Sequence, residues 1–571
     1  MAETEVPRHL KLVVDGLNES TITAEMLWNT LGTILLLALG ILVGRIVWRL
    51  LIFYASRKIE AGLRDDMFRK AERLPLTYFR ENKVGAIMAW FTTDVETIGE
   101  FFGWGTVMLI DAVFLSVIVI LRMVLEVNWV LTVLAAVPIL LLAVWGFLVE
   151  RIMSRKWEER QKAYDELYDF AEEGFTGIRV IKAFVKENQQ IHAFARTAAK
   201  NRDTNYSFAK VSILFDVLIE ILIYSVIALL MGFGGYFVYQ SMHGEPYRIF
   251  GMNIEMTIGD LTQFISLFDL LIWPMIALGQ IIMMHSRSKT SLQRITRFLD
   301  VPEDVKSPEN AIVLAHPRGA IEFRDFSFAY PDGGDGALKN LSFSIQPGER
   351  IGVVGKIGSG KSTLAQILMR LYNVEKGRVF VDGIDIMDAD LVSLRDAIAY
   401  APQDNFLFSD SITNNIAFSS QEPDESLVKE SATFADIDGN IEGFPKGYDT
   451  VSGERGVTLS GGQKQRISLA RAYYKKAPIL IMDDTVSAVD MKTEETILEN
   501  LRTMRENQTT IVIASRVSTV RKFDKILVLV DGAAEGFAPH AELMKTSPSY
   551  QKMVRLQQLE AEAQEGGKSN G

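Results

Sequence analysis

The chain has 571 residues, enough for several domains, with 48% hydrophobic residues and a formal net charge of −11. That charge argues against nucleic acid as a main partner, and the absence of cysteine excludes disulfides, thiol catalysis and thiolate metal sites. The apolar residues gather in long runs in the first half only, which predicts a membrane half followed by a soluble half.

Residues 1–26 are polar and mildly acidic and lack the basic start and apolar core of a signal peptide. Apolar runs follow near 27–54, 101–125, 128–150, 211–240 and 257–284, each long enough to cross a bilayer as a helix. The segments 55–100 and 151–210 are rich in Lys and Arg, whereas the turns near 124–128 and 241–256 are poor in them, which puts the basic segments in the cytoplasm. Five crossings with a cytoplasmic C-terminus leave the N-terminus outside. Residues 6–17 read as the exit of an earlier helix, so the expectation is that most of a first helix precedes them.

The basic segments are helix-prone extensions of the membrane helices, each broken once, at 81–85 and at 173–179. Such breaks form either docking turns or plain loops. Carboxylates inside apolar runs are costly and face a cavity or a partner helix; here they are Asp111, Asp216, Glu220 and Asp269. Asp269 stands among Phe264, Phe268, Trp273 and Met275, with Pro274 marking a kink. A carboxylate beside aromatics and methionines suits a cationic amphiphile, so Phe268, Asp269 and Trp273 are the candidate substrate-cavity residues. Interhelical hydrogen bonding is the plainer alternative.

The predicted organisation is a membrane domain with cytoplasmic helix extensions over 1–290, a polar linker over 291–318, an α/β domain over 319–560 and a flexible tail over 561–571. The α/β domain opens with the alternation Ile321, Phe323 and Phe326, Phe328. Tyr330 follows, before a Pro331-Asp332-Gly333-Gly334 turn, placed either to stack on adenine or to fill the core. Gly355-Lys356-Ile357-Gly358-Ser359-Gly360-Lys361-Ser362 reads G-x-x-x-x-G-K-S, between an apolar strand at 350–354 and a helical run at 362–368. Gly355, Gly358 and Gly360 let backbone N–H groups turn inward around phosphate oxygens at the positive end of the helix dipole, with Ser359 and Thr363 beside them. Lys361 would reach the β- and γ-phosphates and Ser362 would hold Mg²⁺. Leu459-Ser460-Gly461-Gly462-Gln463 forms a second anion-binding helix start. Ile479-Leu480-Ile481-Met482 ends in Asp483 and Asp484, and a carboxylate at the end of a buried strand is what Mg²⁺ coordination requires, through water, for Asp483.

Together these motifs resemble the ATP-binding cassette. Over nearly its whole length the chain is similar to a half-transporter of the ABC exporter family, with a polytopic all-α transmembrane domain first and an α/β P-loop nucleotide-binding domain second. Residues 355–362 match Walker A, 459–463 the signature, 479–483 Walker B and Ser487-Ala488-Val489-Asp490 the D-loop. Tyr330 matches the adenine-stacking A-loop. Gln403, in Ala401-Pro402-Gln403-Asp404, matches the Q-loop and by resemblance joins Ser362 and Asp483 around Mg²⁺. Ser452-Gly453-Glu454-Arg455-Gly456 matches a stretch that touches the coupling loops, and the two breaks become coupling helices. The family has six helices per half, against five runs here.

Two positions depart from the family pattern. Asp484 stands where the family has the Glu that positions the attacking water, and Ser515 stands where it has the switch histidine. Shortening the carboxylate by one methylene withdraws it by about an ångström, and water placement is sensitive at that scale. The resemblance therefore implies a slow site of the chain's own. The intact Ser460, Gly461, Gly462 and Gln463 would complete the hydrolytic site of a second, different half-transporter carrying Glu and His. The expected protein is half of a heterodimeric exporter in the bacterial inner membrane, with its cassette in the cytoplasm. It is contacted by membrane lipids, uses ATP and Mg²⁺, and moves a small amphiphilic, drug-like or lipid-like molecule. A regulatory nucleotide-binding subunit and a homodimeric exporter are the alternatives.

Overall fold

The computed structural model describes the backbone of residues 2–244, 247–249, 252–331, 336–453, 459–487 and 489–568; the side chains of 138–151, 219, 247, 249, 252–254, 279 and 560–568 lie outside the described set. The chain divides into two compact units. Met1–Phe68 and Met88–Leu299 form the first, Arg69–Ile87 and Asp300–Gly571 the second.

The first unit is helical, apart from a hairpin of β1 (Tyr247–Ile249) and β2 (Met252–Ile254). Among the described residues four helices are long and apolar enough to cross a membrane: Ala24–Arg73, Val84–Val127, Glu187–Met242 and Ile258–Leu299. They contain four of the five expected runs. The remaining run, 128–150, lies in the helix Trp129–Thr176, much of whose apolar part is outside the described side chains. Asn128 starts that helix from an extended backbone, its side chain accepting hydrogen bonds from the N–H groups of Val130 and Leu131 at 2.9 and 3.2 Å. Val84–Val127 is interrupted by π turns at Trp90–Asp94, Phe101–Gly105, Asp111–Leu115 and Met123–Val127, each of which shifts the face that the following turn presents.

Residues 6–17 lie within the helix Ala2–Asn18, which docks on the start of Ile258–Leu299. Lys11 pairs with Asp260 at 2.5 Å, and the Asp15 carboxylate accepts from the Gly259 N–H at 2.8 Å. At its other end Ile258–Leu299 continues into the stretch where a linker was expected to begin at 291. Those residues stay helical because they have partners: Ser291 donates to Asp94 at 2.8 Å, Arg294 binds the same carboxylate in a fork, and Phe298 packs on Trp90 and Phe91. The sequence breaks resolve into short helices, Leu76–Glu81 ahead of the first and Ile178–Ala183 after Gly177 in the second.

The second unit is built on ten strands: β3 (Ile321–Phe328), β4 (Leu338–Ile345), β5 (Arg350–Gly355), β6 (Val379–Val381), β7 (Ile384–Asp385), β8 (Ile398–Ala401), β9 (Ile479–Asp483), β10 (Thr509–Ile513), β11 (Lys525–Val530) and β12 (Ala533–Ala538). Their order is β7-β6-β3-β4-β12-β11-β5-β10-β9-β8. From β11 to β8 the pairings are parallel, which requires helices on both faces; β9 and β10 are accordingly buried throughout and read as unbroken apolar runs. The other end, β7-β6-β3-β4, is antiparallel and alternates inward and outward residues. The parallel register brings the ends of β5, β9 and β10 to one edge of the sheet, Ile513 opposite both Val353 and Asp483.

Candidate functional site

The glycine loop leaves the end of β5 and enters the helix Lys361–Leu368. Gly360 is its N-cap at φ +92°, a left-handed conformation that suits glycine, and no side chain caps the helix, so its first N–H groups point into the loop. Lys361 turns its ammonium back on the loop, donating to the carbonyls of Gly355 and Lys356 at 2.8 and 2.9 Å. Burial pulls the Lys361 pKa down, against the pull of Asp484 and Asp483. The Ser359 hydroxyl is buried with no hydrogen-bond partner among the described residues.

Ser362 donates to Asp483 at 3.1 Å, and the Tyr400 hydroxyl donates to the other oxygen of that carboxylate at 3.2 Å. Burial pushes the Asp483 carboxyl above its ordinary value, Asp484 adds to this, and the bonds from Ser362 and Tyr400 oppose it. An orphaned buried hydroxyl, an ammonium held by weak acceptors and a hydroxyl–carboxylate pair form a donor set that fits a nucleotide polyphosphate with Mg²⁺, a hard cation that takes oxygen ligands.

Asp484 follows at φ +48°, a conformation that Asp tolerates better than most residues. Its N–H donates to the Ile513 carbonyl at 2.9 Å, and its own carbonyl accepts from Gln465 and Ser487. The Ser515 hydroxyl donates to the Asp484 carboxylate at 3.3 Å. The two positions that depart from the family pattern are therefore in contact, because β9 and β10 are neighbours in register.

Tyr330 shares a hydrogen bond with Thr363 at 2.8 Å and donates to Gln366 at 3.1 Å, which ties it to the helix after the glycine loop. Phe328 and Tyr372 meet it edge to face, and the Arg80 guanidinium, from the helix Leu76–Glu81, lies over its ring at 5.1 Å. Gln403 is exposed on the turn after β8, and no hydrogen bond among the described residues joins its side chain to Ser362 or Asp483. Ser460 caps the helix Gly461–Tyr474 in a reciprocal box with Gln463, leaving Ser460 and Gly461 exposed at a free helix start with Gly462 just behind. Asp490 caps Met491–Met504 through the N–H groups of Lys492 and Thr493. Residues 332–334 of the expected turn, 454–456 of the exporter stretch and Ala488 of the D-loop lie outside the described residues.

Sequence reasoning missed Tyr400, Gln465 and Arg80. Tyr400 carried a faint signal, standing three residues before Gln403 on an apolar strand; the others are brought in only by folding.

The three expected cavity residues do not converge. Phe268 is 3% exposed and packs among Phe264, Leu267 and Leu271, whereas Asp269 is exposed. Neighbours on a helix point about 100° apart, so one cavity does not collect both. Trp273 donates to Asp111 at 3.3 Å.

Residues 3–275 match a family model described as "ABC transporter transmembrane region", and residues 338–487 one described as "ABC transporter". The chain is 34% identical over 564 residues to the multidrug resistance-like ATP-binding protein MdlA of Escherichia coli, covering 98% of this chain and 92% of that one. It is 31% identical to the probable multidrug resistance ABC transporter ATP-binding/permease protein YheI of Bacillus subtilis, covering 98% and 93%. Among solved structures, a bacterial Atm1-family ABC exporter with ATP bound superposes with a TM-score of 0.78 at 26% identity, over 97% of this chain and 96% of that one.

Proposed function

The chain belongs to the ABC transporter family, and from that premise we propose that it is the slow-site half of a heterodimeric exporter of small amphiphilic molecules. It is an ABC-type ATPase, multi-pass in the inner membrane, with its nucleotide-binding domain in the cytoplasm. The drug-like cargo is supported by the names of MdlA and YheI, both related to multidrug resistance.

The observation that carries the heterodimer reading is the contact of Ser515 with Asp484. A carboxylate one methylene shorter than the family's, with an oxygen taken by a hydroxyl and no imidazole bonded to it among the described residues, holds an attacking water poorly. In this reading Lys361 and the N–H groups of the glycine loop bind the phosphates, and Tyr330 offers its ring to the adenine. Ser362 and Asp483 would hold Mg²⁺, with Gln403 as a further oxygen donor. The chemistry such an ion would supply there is neutralisation of charge on the phosphate oxygens. The exposed start of Gly461–Tyr474 completes the partner's site, where most hydrolysis occurs. Nucleotide binding closes the two cassettes, and the helices Leu76–Glu81 and Ile178–Ala183 pass that closure to the membrane helices.

The test is ATP turnover by the purified chain without a partner, as wild type and as Asp484→Glu/Ser515→His. The wild type is expected to be slow and the double variant at least about tenfold faster. Wild-type turnover like that of an ordinary exporter, unchanged in the double variant, would overturn the slow-site reading and favour a homodimer.

A further inference from the structure

Strand β10 ends at Ile513, and after three residues the chain enters the helix Val517–Val520. Ser515, which donates to Asp484 at 3.3 Å, stands in the middle of that short loop. Two backbone groups of the loop need partners from elsewhere. The Ser515 carbonyl lies beyond the end of β10. The Val517 N–H is a free donor of a helix start, and Arg516, the N-cap, offers it no side-chain acceptor. One side chain takes both. Gln557 accepts from the Val517 N–H at 2.8 Å and donates to the Ser515 carbonyl at 3.2 Å. Its amide thus grips the backbone on either side of Arg516, as a neighbouring strand would.

Gln557 is delivered by the helix Pro548–Lys568. Glu535 on β12 fixes the start of that helix, accepting from the Ser547 hydroxyl and from the hydroxyl and N–H of Ser549. Tyr550 is fully buried, and Met553 and Val554 pack on the same core. Positions 550, 553, 554 and 557 recur at helical spacing and form one face, so the pattern calls for an apolar residue at 557. Glutamine stands there instead, half-buried, and that end of the face meets two backbone polar groups. From the helix Met491–Met504, the Glu494 carboxylate accepts from Thr519 and pairs with Arg516 at 3.6 Å. Glu494 holds side chains around the loop, whereas Gln557 holds its backbone.

We propose that Gln557 is a positioning residue for the nucleotide site, fixing the backbone from which residue 515 reaches Asp484. A serine hydroxyl hangs on one rotatable bond, so its place is set almost wholly by its backbone. A loop released from Gln557 lets that hydroxyl drift by about an ångström, a displacement that matters at a reacting centre. Gln557 acts through residue 515 and not by contact with the reacting atoms. The inference rests on the nucleotide-site reading and is independent of whether the partner is a second copy or a different chain.

The experiment uses the full chain in lipid nanodiscs and compares Gln557→Met with its parent in two backgrounds, Asp484→Glu/Ser515→His and Asp484→Glu/Ser515→Ala. Methionine keeps the length of the side chain and suits the apolar face, so the helix stays packed while both hydrogen bonds are lost. In the histidine background kcat for ATP is expected to fall about tenfold, with KM held within about twofold. In the alanine background, where residue 515 has no side chain to position, the fall is expected to be less than about twofold. Melting temperatures should match those of the parents, and amide hydrogen exchange over 514–519 should quicken about tenfold. Equal loss of kcat in both backgrounds would assign Gln557 to stability alone and overturn its positioning role. Unchanged kcat in the histidine background, or unchanged exchange over 514–519, would overturn it as well. Each result is a ratio to its own parent, whereas the slow-site reading concerns the ratio of Asp484→Glu/Ser515→His to wild type, so the two fail separately.

Discussion

Asp483 is the residue on which the proposed nucleotide site most depends. Burial holds its carboxyl above the ordinary value, helped by Asp484, despite hydrogen bonds from Ser362 and Tyr400. The folded chain therefore binds this proton more tightly than the unfolded one. Its contribution to stability is fully present below the unfolded pKa and is lost as the pH rises through the raised folded pKa. Asp483→Asn removes the buried charge. Without nucleotide the variant is expected to unfold at a higher temperature than wild type near pH 7, and to gain less on acidification to about pH 5, as read by scanning calorimetry. The same variant should lose the Mg²⁺-dependent part of its ATP affinity. The place of Asp483 at the end of a buried strand was legible because four apolar residues precede two carboxylates. Its hydroxyl donor Tyr400 was not, since the pair is joined across neighbouring strands β8 and β9.

At the scale of elements, the start of Gly461–Tyr474 is held by the reciprocal box of Ser460 and Gln463, with bonds of 3.0 and 3.3 Å. Ser460→Ala is expected to cost about 1 kcal/mol of stability and Ser460→Thr much less, measured by denaturant unfolding of the full chain in detergent. Loss of equal size in both would show that the box contributes little. The helix Leu76–Glu81 depends on a tertiary contact, the Arg80 guanidinium over Tyr330. Such a contact is worth about 0.5–1 kcal/mol, so Arg80→Ala should speed amide hydrogen exchange in 76–81 by a few-fold. The break at 81–85 was readable from its polar and glycine residues, but a ring nearly 250 residues away is not visible in a local pattern. The same limit explains why the expected linker start at 291 proved helical: Asp94 and Trp90 hold that end from another helix.

For the whole molecule, in the heterodimer reading, this chain's signature serves the partner's site. Gly461 has open space around it, so Gly461→Asp fits without a clash, and a carboxylate at a helix start is favourable for folding. The same carboxylate would repel a phosphate arriving there. In a co-expressed pair with a second half-transporter, Gly461→Asp is expected to cut ATP turnover about a hundredfold, whereas Asp484→Ala lowers it only a few-fold. The reverse ranking would place the working site on this chain.

The sequence by itself determined the two-part architecture, the nucleotide chemistry and the two departures at Asp484 and Ser515. Each of these is written in contiguous residues: apolar length measures the bilayer, and a phosphate loop needs its glycines, lysine and serine within eight positions. Tertiary structure alone decided what those residues touch. It joined Ser515 to Asp484 through adjacent strands, and it buried Phe268 in a core while leaving the neighbouring Asp269 exposed. Which carboxylate meets which ring depends on helix rotation and crossing, which side-chain packing sets after the helices have formed.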